Sequence, residues 1–171
     1  MNHYYGQTTS EFEEKIVQVN RVSKKTKGGN KIGFSVIVVV GDKKGRVGVG
    51  LGKAGDVSTA IRKGASYAKK HLINIPIVNG TIASDIFLKS GAAKILLKPA
   101  PEGSGIIAGG ATRVVLELAG IPNVSSKLLG KTKNKIAVVQ ATFEALKSFK
   151  RSGKPSKKIE TTEKATTGNN L

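Results

Sequence analysis

Several residue types are absent from the sequence or scarce, and each absence excludes a class of site. The chain has no cysteine and no tryptophan, and its two histidines are His3 and His71. Disulfides, cysteine zinc sites and thiol nucleophiles are therefore excluded, and two such distant histidines argue against a metal cluster or acid–base pair. Aromatic residues make up 5% of the chain, which argues against base-stacking platforms. We expect no metal, no cofactor and no catalysed reaction.

Acidic residues are also scarce, because 11 Asp and Glu stand against 29 Lys and Arg and leave a formal net charge of +18. Such a charge repels itself unless a polyanion neutralises it, and nucleic acid is the commonest polyanionic partner of a basic chain. Each acid in the central part of the chain stands alone: Asp42, Asp56, Asp85, Glu102, Glu117 and Glu144. This pattern predicts turns, a cap and solvent-facing positions rather than a catalytic constellation.

Long apolar runs are missing as well. No run approaches the roughly 18 to 20 residues that a membrane-spanning helix needs. The N-terminus is acidic at Glu11, Glu13 and Glu14 and lacks the basic, apolar plan of a signal peptide. We therefore expect a cytoplasmic protein without a membrane partner, and nucleic acid is favoured over an anionic membrane surface.

The length of 171 residues fits two small domains between polar tails. Residues 1–14 and 151–171 contain little that burial could stabilise, so we predict a mobile N-terminal tail and a disordered basic C-terminal tail. Near residues 72–80 a helical pattern gives way to the segment IPIVNGT. This change separates a predicted N-terminal RNA-binding domain at 15–73 from a C-terminal domain at 74–150.

The first domain is predicted to contain three strands and a helix. An early strand is expected from about Lys15 to Lys25, and alternating apolar residues predict strands over Ile32–Val40 and Val47–Leu51. The alternating apolar residues of the strand Ile32–Val40 are expected to share one face of the sheet. The segments KKTKGGNK and GDKKG are typical of hairpin loops, and Asp56 caps an amphipathic helix. The predicted unit is a three-stranded antiparallel sheet plus helix.

Cations cluster at two places in this domain. The predicted loop at 21–31 carries five cations and two glycines, which suit phosphate oxygens and a close backbone approach. Cations seven residues apart on the predicted helix form a second patch. A merely solvated turn is the alternative interpretation of the loop. The candidate RNA-binding residues are Arg21, Ser23, Lys24, Lys25, Lys27, Gly28, Gly29, Lys31, Arg46, Lys53, Arg62, Lys63, Lys69 and Lys70.

Three glycines line one face of the third predicted strand, at Gly48, Gly50 and Gly52. Glycines weaken a strand unless another backbone or a ligand needs the space. Two interpretations remain open: a ligand approaches the strand closely, or a twisted or bulged strand packs on a neighbouring helix.

The second domain is predicted to be α+β with a mixed sheet. Its predicted elements are strands around Ile75–Val78, Ile86–Lys89 and Lys94–Lys98, a helix ending at Gly120, a strand at Val124–Leu129 and a helix capped by Asn134. The segment PEGSGIIAGGATR at 101–113 precedes the first of these helices. Amides at a helix N-terminus suit an anion, whereas the alternative is that the glycines only permit a sharp turn. The candidates for anion or protein contact are Gly103, Gly105, Gly109, Gly110 and Arg113.

Three ordered blocks resemble the fifth small-subunit ribosomal protein of bacteria and organelles: VNRVSKKTKGG at 19–29, VVVGDKKGRVGVGLGKAGDV at 38–57 and PEGSGIIAGGATRVVLELAG at 101–120. The chain departs from the family at Asn30–Lys31, where many relatives have arginine, and at 82–91, which lacks a histidine-bearing turn. The resemblance implies an N-terminal domain similar to double-stranded-RNA-binding folds. It also implies a left-handed βαβ element in the C-terminal domain.

The resemblance further implies a structural, non-enzymatic protein that binds 16S-type ribosomal RNA in the small subunit. Its implied protein partners are the fourth and eighth small-subunit proteins, with the third and fourth beside it at the messenger RNA entry channel, and the implied role includes decoding accuracy. A free double-stranded-RNA-binding module is the alternative that the N-terminal domain alone would support. A small nucleotide-dependent transferase that uses the loop at 103–113 is the more remote alternative.

Overall fold

The computed structural model describes residues 11–151, and at positions 150 and 151 it describes the backbone only. Residues 1–10 and 152–171 of the predicted tails lie outside the described residues. The first half contains, in chain order, β1 (Glu13–Thr26), β2 (Gly29–Gly41), β3 (Arg46–Ala54), α1 (Val57–Lys70) and β4 (Ile73–Asn74). The second half contains β5 (Ile77–Val78), β6 (Thr81–Ile82), β7 (Ile86–Ser90), β8 (Ala93–Pro99), β9 (Ile106–Ile107), α2 (Gly110–Ala119), β10 (Val124–Leu128) and α3 (Lys135–Arg151).

The first sheet is antiparallel, with the strand order β1-β2-β3-β4. It confirms the predicted three strands plus helix. It also contains β4, a two-residue strand that pairs with the start of β3. Strand β1 begins inside the predicted tail, because Glu13 and Glu14 already pair with the end of β2. The predicted loop at 24–31 is mostly strand as well, and Lys27 and Gly28 alone form the turn between β1 and β2.

Strand β2 is buried on both faces from Ser35 to Gly41. Val36, Val38 and Val40 pack against the small residues of α1, as the alternation predicts. Ile37 and Val39 face the other way, into a core shared with α2 and α3. Full burial of each such side chain contributes about 1.5–3 kcal/mol. The sheet is therefore a middle layer between α1 and the C-terminal domain, and its second apolar face was not predicted.

The glycines of β3 face α1. A Cβ atom at Gly50 would lie 2.0 Å from the carbonyl oxygen of Gly64 in α1, far inside van der Waals contact. At Gly48 and Gly52 the corresponding distances to carbonyl oxygens of α1 are 2.3 and 1.9 Å. The interpretation of a strand packed on a neighbouring helix is therefore correct, and these glycines are not open to a ligand. Asp56 caps α1 as predicted by accepting a hydrogen bond from the Thr59 amide at 3.3 Å.

The second domain is α+β with a mixed sheet, as predicted. Its strand order is β7-β8-β10-β9, and β5 and β6 form a separate hairpin. Strand β9 was not predicted, and it runs parallel to β10 with α2 between them in the chain. This is a βαβ element, and the left-handed sense of its connection stays a prediction. The strand predicted at Ile75–Val78 is limited to Ile77–Val78, because Ile75 instead donates its amide to Gly45 of the first domain at 2.8 Å. Asn134 caps α3 as predicted, accepting from the Ile136 amide at 3.0 Å.

The turn between β2 and β3, residues 41–45, joins the two domains, and we call it the junction turn. The Lys43 amide donates to the carbonyl oxygen of Leu118 at 3.0 Å, and the Gly45 amide donates to Ala119 at 2.9 Å. These carbonyl groups at the end of α2 have no further partner within a helix, so the turn supplies their hydrogen bonds. A Cβ at Gly41 would lie 2.1 Å from the Leu118 oxygen. The two domains therefore share one continuous core.

Candidate nucleic-acid interface

The distal part of the β1–β2 hairpin, residues 21–32, extends beyond the core, and we call it the basic arm. Every residue in it is exposed. Strand β1 has 14 residues, which at about 3.3 Å per residue places the tip of the arm roughly 40 Å from the start of the strand. The arm contains no acid, and none of its cations takes part in an ion pair within the described chain: Arg21, Lys24, Lys25, Lys27 and Lys31.

Lysines face each other across the arm. Lys24 and Lys31 are direct partners in the register of β1 and β2. Like charges at such a position destabilise an antiparallel pair, so a bound anion would stabilise this part of the hairpin. Lys24 and Lys31 line a surface depression of about 380 Å³. Ser23 and, from the distant strand β3, Lys53 line the same depression. The structure thus brings four predicted RNA-binding residues to one place.

The opposite end of β1 is rich in acids, and these are paired. Glu13 forms an ion pair with Lys43, and Glu14 forms one with Lys69 at 2.7 Å. The hydrogen bond from Lys43 is the main cause that lowers the pKa of Glu13. Charge is therefore segregated along the hairpin: it is balanced beside the core and unbalanced on the basic arm.

Arg46, a predicted RNA contact, is engaged within the protein. Its Nε donates to Asp42 Oδ2 at 2.6 Å, and its Nη2 donates to Glu11. The guanidinium carbon lies 5.1 Å from the centre of the Phe12 ring. Burial raises the pKa of Asp42, but hydrogen bonds from Arg46 and from the Lys44 amide outweigh it and hold that pKa below its usual value. Because Arg46 holds the junction turn, we leave it out of the proposed RNA surface.

A second cationic surface lies on the outer face of α1. Arg62, Lys63 and Lys70 line a shallow, open depression of about 550 Å³ together with Tyr67, and we call these four residues the α1 surface. Lys69 was predicted to belong to the same patch, but its ammonium group is paired with Glu14 of β1. The helix therefore presents three of the four predicted cations together.

Comparison with known protein families gives two matches. The family described as "Ribosomal protein S5, N-terminal domain" matches residues 12–76, and "Ribosomal protein S5, C-terminal domain" matches residues 88–157. The two matches together cover most of the chain, in the order of its two domains. The chain belongs to the ribosomal protein S5 family. This confirms the resemblance found in the sequence.

Membership of the S5 family assigns the chain a structural role in the small ribosomal subunit, with binding to ribosomal RNA and a part in translation. Proteins of the family are in general not enzymes. Its implied partners are small-subunit ribosomal RNA and neighbouring ribosomal proteins, and its implied location is the ribosome.

The glycine-rich segment of this S5 chain forms an exposed loop ahead of α2. A Cβ placed on Gly103, Gly105 or Gly110 would meet no atom within 4 Å. Gly103 and Gly105 have φ values of +86° and +69°, which side chains rarely adopt, so backbone conformation accounts for two of these glycines. Gly109 is the N-cap of α2 and provides no side-chain hydrogen bond.

Hydrogen bonds join this segment to the start of β10 and also form within it, and the Val124 amide donates to the carbonyl oxygen of Gly105 at 3.2 Å. The Gly105 amide donates to Asn123 Oδ1 at 3.1 Å. Arg113, predicted for anion or protein contact, donates from Nη2 to the carbonyl oxygen of Ile106 at 3.1 Å. The structure therefore gives Arg113 a role inside this segment, as the donor to Ile106.

Two findings concern other classes of site. Within residues 11–151, no three histidine, cysteine, aspartate or glutamate side chains are grouped so that they could hold a metal ion. None of the helices that the structure describes is long and apolar enough to cross a membrane. The expected absence of a metal and a cofactor stays a prediction.

Sequence reasoning missed Tyr67, which lies between the cations of the α1 surface. The low aromatic content argued against base stacking in general, but an overall percentage does not reveal a single exposed ring. The signal was its spacing of four residues from His71 on a predicted helix, which places the two rings on the same face.

Proposed function

We propose that the chain is a structural component of the small ribosomal subunit that binds 16S-type ribosomal RNA through the basic arm and the α1 surface. The observation that carries this proposal is the facing pair of Lys24 and Lys31, with Lys53 beside it, on an exposed arm without an acid. Phosphate oxygens between these ammonium groups remove their mutual repulsion. The protein acts in translation by holding RNA in place, without catalysing a reaction.

The shape of the basic arm supports contact with the RNA backbone. A two-stranded ribbon that buries none of its side chains in the protein is free to lie between RNA helices. At its tip, Cβ atoms on Gly28 and Gly29 would meet nothing within 4 Å, so a phosphate can approach the turn closely. The lysines set the register, and the folded shape of the RNA supplies most of the specificity.

We further propose that the protein acts on cytoplasmic ribosomes and contacts the fourth and eighth small-subunit proteins. In this proposal it also lines the messenger RNA entry channel with the third and fourth proteins, and it influences decoding accuracy. The family resemblance supports these roles. The loop at 101–113 supports a protein contact there, because Ile107 is 57% exposed and the surrounding glycines leave the backbone open.

The experiment that tests the function is sucrose-gradient sedimentation of the tagged full-length protein from its native lysate. We expect near-stoichiometric migration with small ribosomal subunits at low and at high salt, because many phosphate contacts are made at once. Migration with free RNA, or at the top of the gradient, would contradict the proposal and support a free double-stranded-RNA-binding module.

A pair of triple variants connects this experiment to the basic arm. The arm variant replaces Lys24, Lys31 and Lys53 by glutamine, and the control variant replaces Lys15, Lys43 and Lys69, which have acidic partners within the protein. Both lose three positive charges. We expect the arm variant to be depleted from small subunits and the control variant to be retained. Equal retention of both would contradict the role of the arm.

A further inference from the structure

Tyr67 lies at the edge of the outer face of α1, between the cationic depression and the cleft that separates α1 from α3. Its relative exposure is 52%, so about half of the side chain is open to a ligand. The ring stacks on His71, with 4.1 Å between centroids and 23° between planes. His71 Nδ1 also hydrogen-bonds to the carbonyl oxygen of Tyr67 at 2.9 Å. The His71 ring thus covers one face of the Tyr67 ring.

The surroundings of this ring are cationic and otherwise polar. The depression that Tyr67 lines with Arg62, Lys63 and Lys70 also contains Thr59 and Ser66, and it contains neither an acid nor an aliphatic side chain. His71 lines a different cleft, between α1 and α3, which Tyr67 borders from its other side. Tyr67 therefore borders both depressions, and the cations lie on one side of its ring while the cleft shared with His71 lies on the other.

This combination selects a ligand with a planar group between negative charges. An unpaired nucleobase stacks on an exposed aromatic ring, and the phosphates on either side of it are neutralised by Lys and Arg. A duplex hides its base faces and would meet the cations alone. The cationic depression has no aliphatic lining, which favours RNA over a protein partner on that side of the ring. The apolar residues near Tyr67, among them Leu51 and Phe143, line the neighbouring cleft.

We propose that Tyr67, supported by His71, stacks on an unpaired base of single-stranded or bulged RNA, while Arg62, Lys63 and Lys70 contact the flanking phosphates. This inference rests on the proposed RNA-binding function and adds to it a preference of one site for unpaired RNA. It departs from the expectation, drawn from the aromatic content, that base-stacking platforms are absent. One well-placed ring is enough for one base.

The test measures binding of the full-length protein to a fluorescent single-stranded oligouridylate and to an RNA duplex of the same length. We expect Tyr67→Ala to weaken binding of the oligouridylate by about 5- to 150-fold, the range that one stacked base contributes. Tyr67→Phe keeps the ring and is expected to bind like the unchanged protein. Binding of the duplex is expected to be the same in all three proteins.

Salt dependence separates stacking from charge. Tyr67→Ala is expected to leave the slope of log affinity against log salt unchanged, whereas the double variant Arg62→Gln, Lys63→Gln lowers it by about 1.4 for single-stranded RNA. Equal affinity of Tyr67→Ala and the unchanged protein for oligouridylate would overturn the inference. An equal loss of affinity for the duplex would overturn it as well.

Failure of this inference can be distinguished from failure of the proposed function. The arm variant keeps the α1 surface intact, so its loss of binding to ribosomal RNA reports on the basic arm alone. If that loss is seen while Tyr67→Ala has no effect, the stacking site is wrong and the proposed function stands.

Discussion

The N-terminal sheet has two hairpin ends that are alike in composition and opposite in their contacts. The segment at 24–31 and the junction turn at 41–45 both combine lysines with two glycines. Residues 24–31 are all exposed. In the junction turn, by contrast, amides donate to the end of α2, and Gly41 lies against the Leu118 backbone. One hairpin end is free for a partner, and the other joins the domains.

Two features account for this difference: Asp42 in the junction turn, and the end of α2 that lies against that turn. Asp42 accepts hydrogen bonds from the Lys44 amide at 2.8 Å and the Arg46 amide at 3.0 Å, and its side chain is 2% exposed. The basic arm has no such residue. Lysine and glycine content therefore predicts a turn, but contacts with distant residues decide whether the turn binds RNA or its own protein.

The largest expected effect is on the junction turn. Gly120→Ala would place a Cβ 2.1 Å from the Lys43 carbonyl oxygen at a φ of +77°. Overpacking against backbone together with a left-handed conformation is expected to reduce the free energy of unfolding by about 3 kcal/mol or more. Denaturant unfolding monitored by circular dichroism measures it.

Two glycine variants are controls for this prediction. Gly103 has a φ of +86° and open space, so Gly103→Ala reports the cost of the backbone conformation without the clash. Gly28 has open space and no positive φ, so Gly28→Ala is expected to change stability by less than about 0.5 kcal/mol. If Gly120→Ala cost no more than Gly103→Ala, the close packing of the junction turn on α2 would be contradicted.

The next effect in size concerns Asp42. Asp42→Asn keeps an acceptor for the turn amides but loses the charged partner of Arg46. We therefore expect the free energy of unfolding to fall by about 2 kcal/mol at neutral pH. The measurement is urea unfolding of both proteins between neutral pH and acid.

The pH dependence of this difference follows from the lowered pKa of Asp42. The folded-state pKa lies below the usual 3.8, so the ionised carboxylate stabilises the fold at pH values above 3.8. That contribution is lost as the pH falls through the folded-state pKa. The difference between the two proteins should therefore be constant near neutral pH and shrink in acid. A difference that grew on acidification would contradict the assignment.

The smallest effect is expected at an ion pair between the domains. Lys15 of β1 donates to Glu117 of α2 at 2.9 Å, and this hydrogen bond is the main cause that raises the pKa of Lys15. Because both side chains are partly exposed, Lys15→Gln should cost about 0.2–1 kcal/mol. The contribution is present below the ordinary lysine pKa and is lost as the pH rises through the raised one. A double-mutant cycle with Glu117→Gln measures it, and a coupling free energy of zero would exclude the pair.

Much of the fold could be predicted from the sequence, because alternation and caps are local signals. Asp56 and Asn134 mark the starts of α1 and α3, and Gly120 marks the end of α2. Strand β9 could not be predicted, since two residues carry no periodicity. The second apolar face of β2 escaped notice for another reason: a strand buried on both faces depends on a second domain that local patterning does not reveal.

The residue types of the candidate site come from the sequence and their arrangement comes from the structure, whereas their contact with RNA stays a prediction. The cations of the basic arm were identified from their density, and Lys53 joins Lys24 and Lys31 as the structure folds. Arg46 and Lys69 were placed on the RNA surface because composition does not show ion pairs with Glu11 and Glu14. Those acids were assigned to a tail, although they balance the charge beside the core.

The most direct test of the contrast between the two hairpin ends is the salt dependence of binding to 16S-type ribosomal RNA. It compares the unchanged protein with the arm variant and the control variant, which lose the same charge. We expect the slope of log affinity against log salt to fall by about 2 to 3 in the arm variant, for three lost phosphate contacts, and to be unchanged in the control variant. Equal falls in both variants would mean that total charge, rather than the basic arm, binds the RNA.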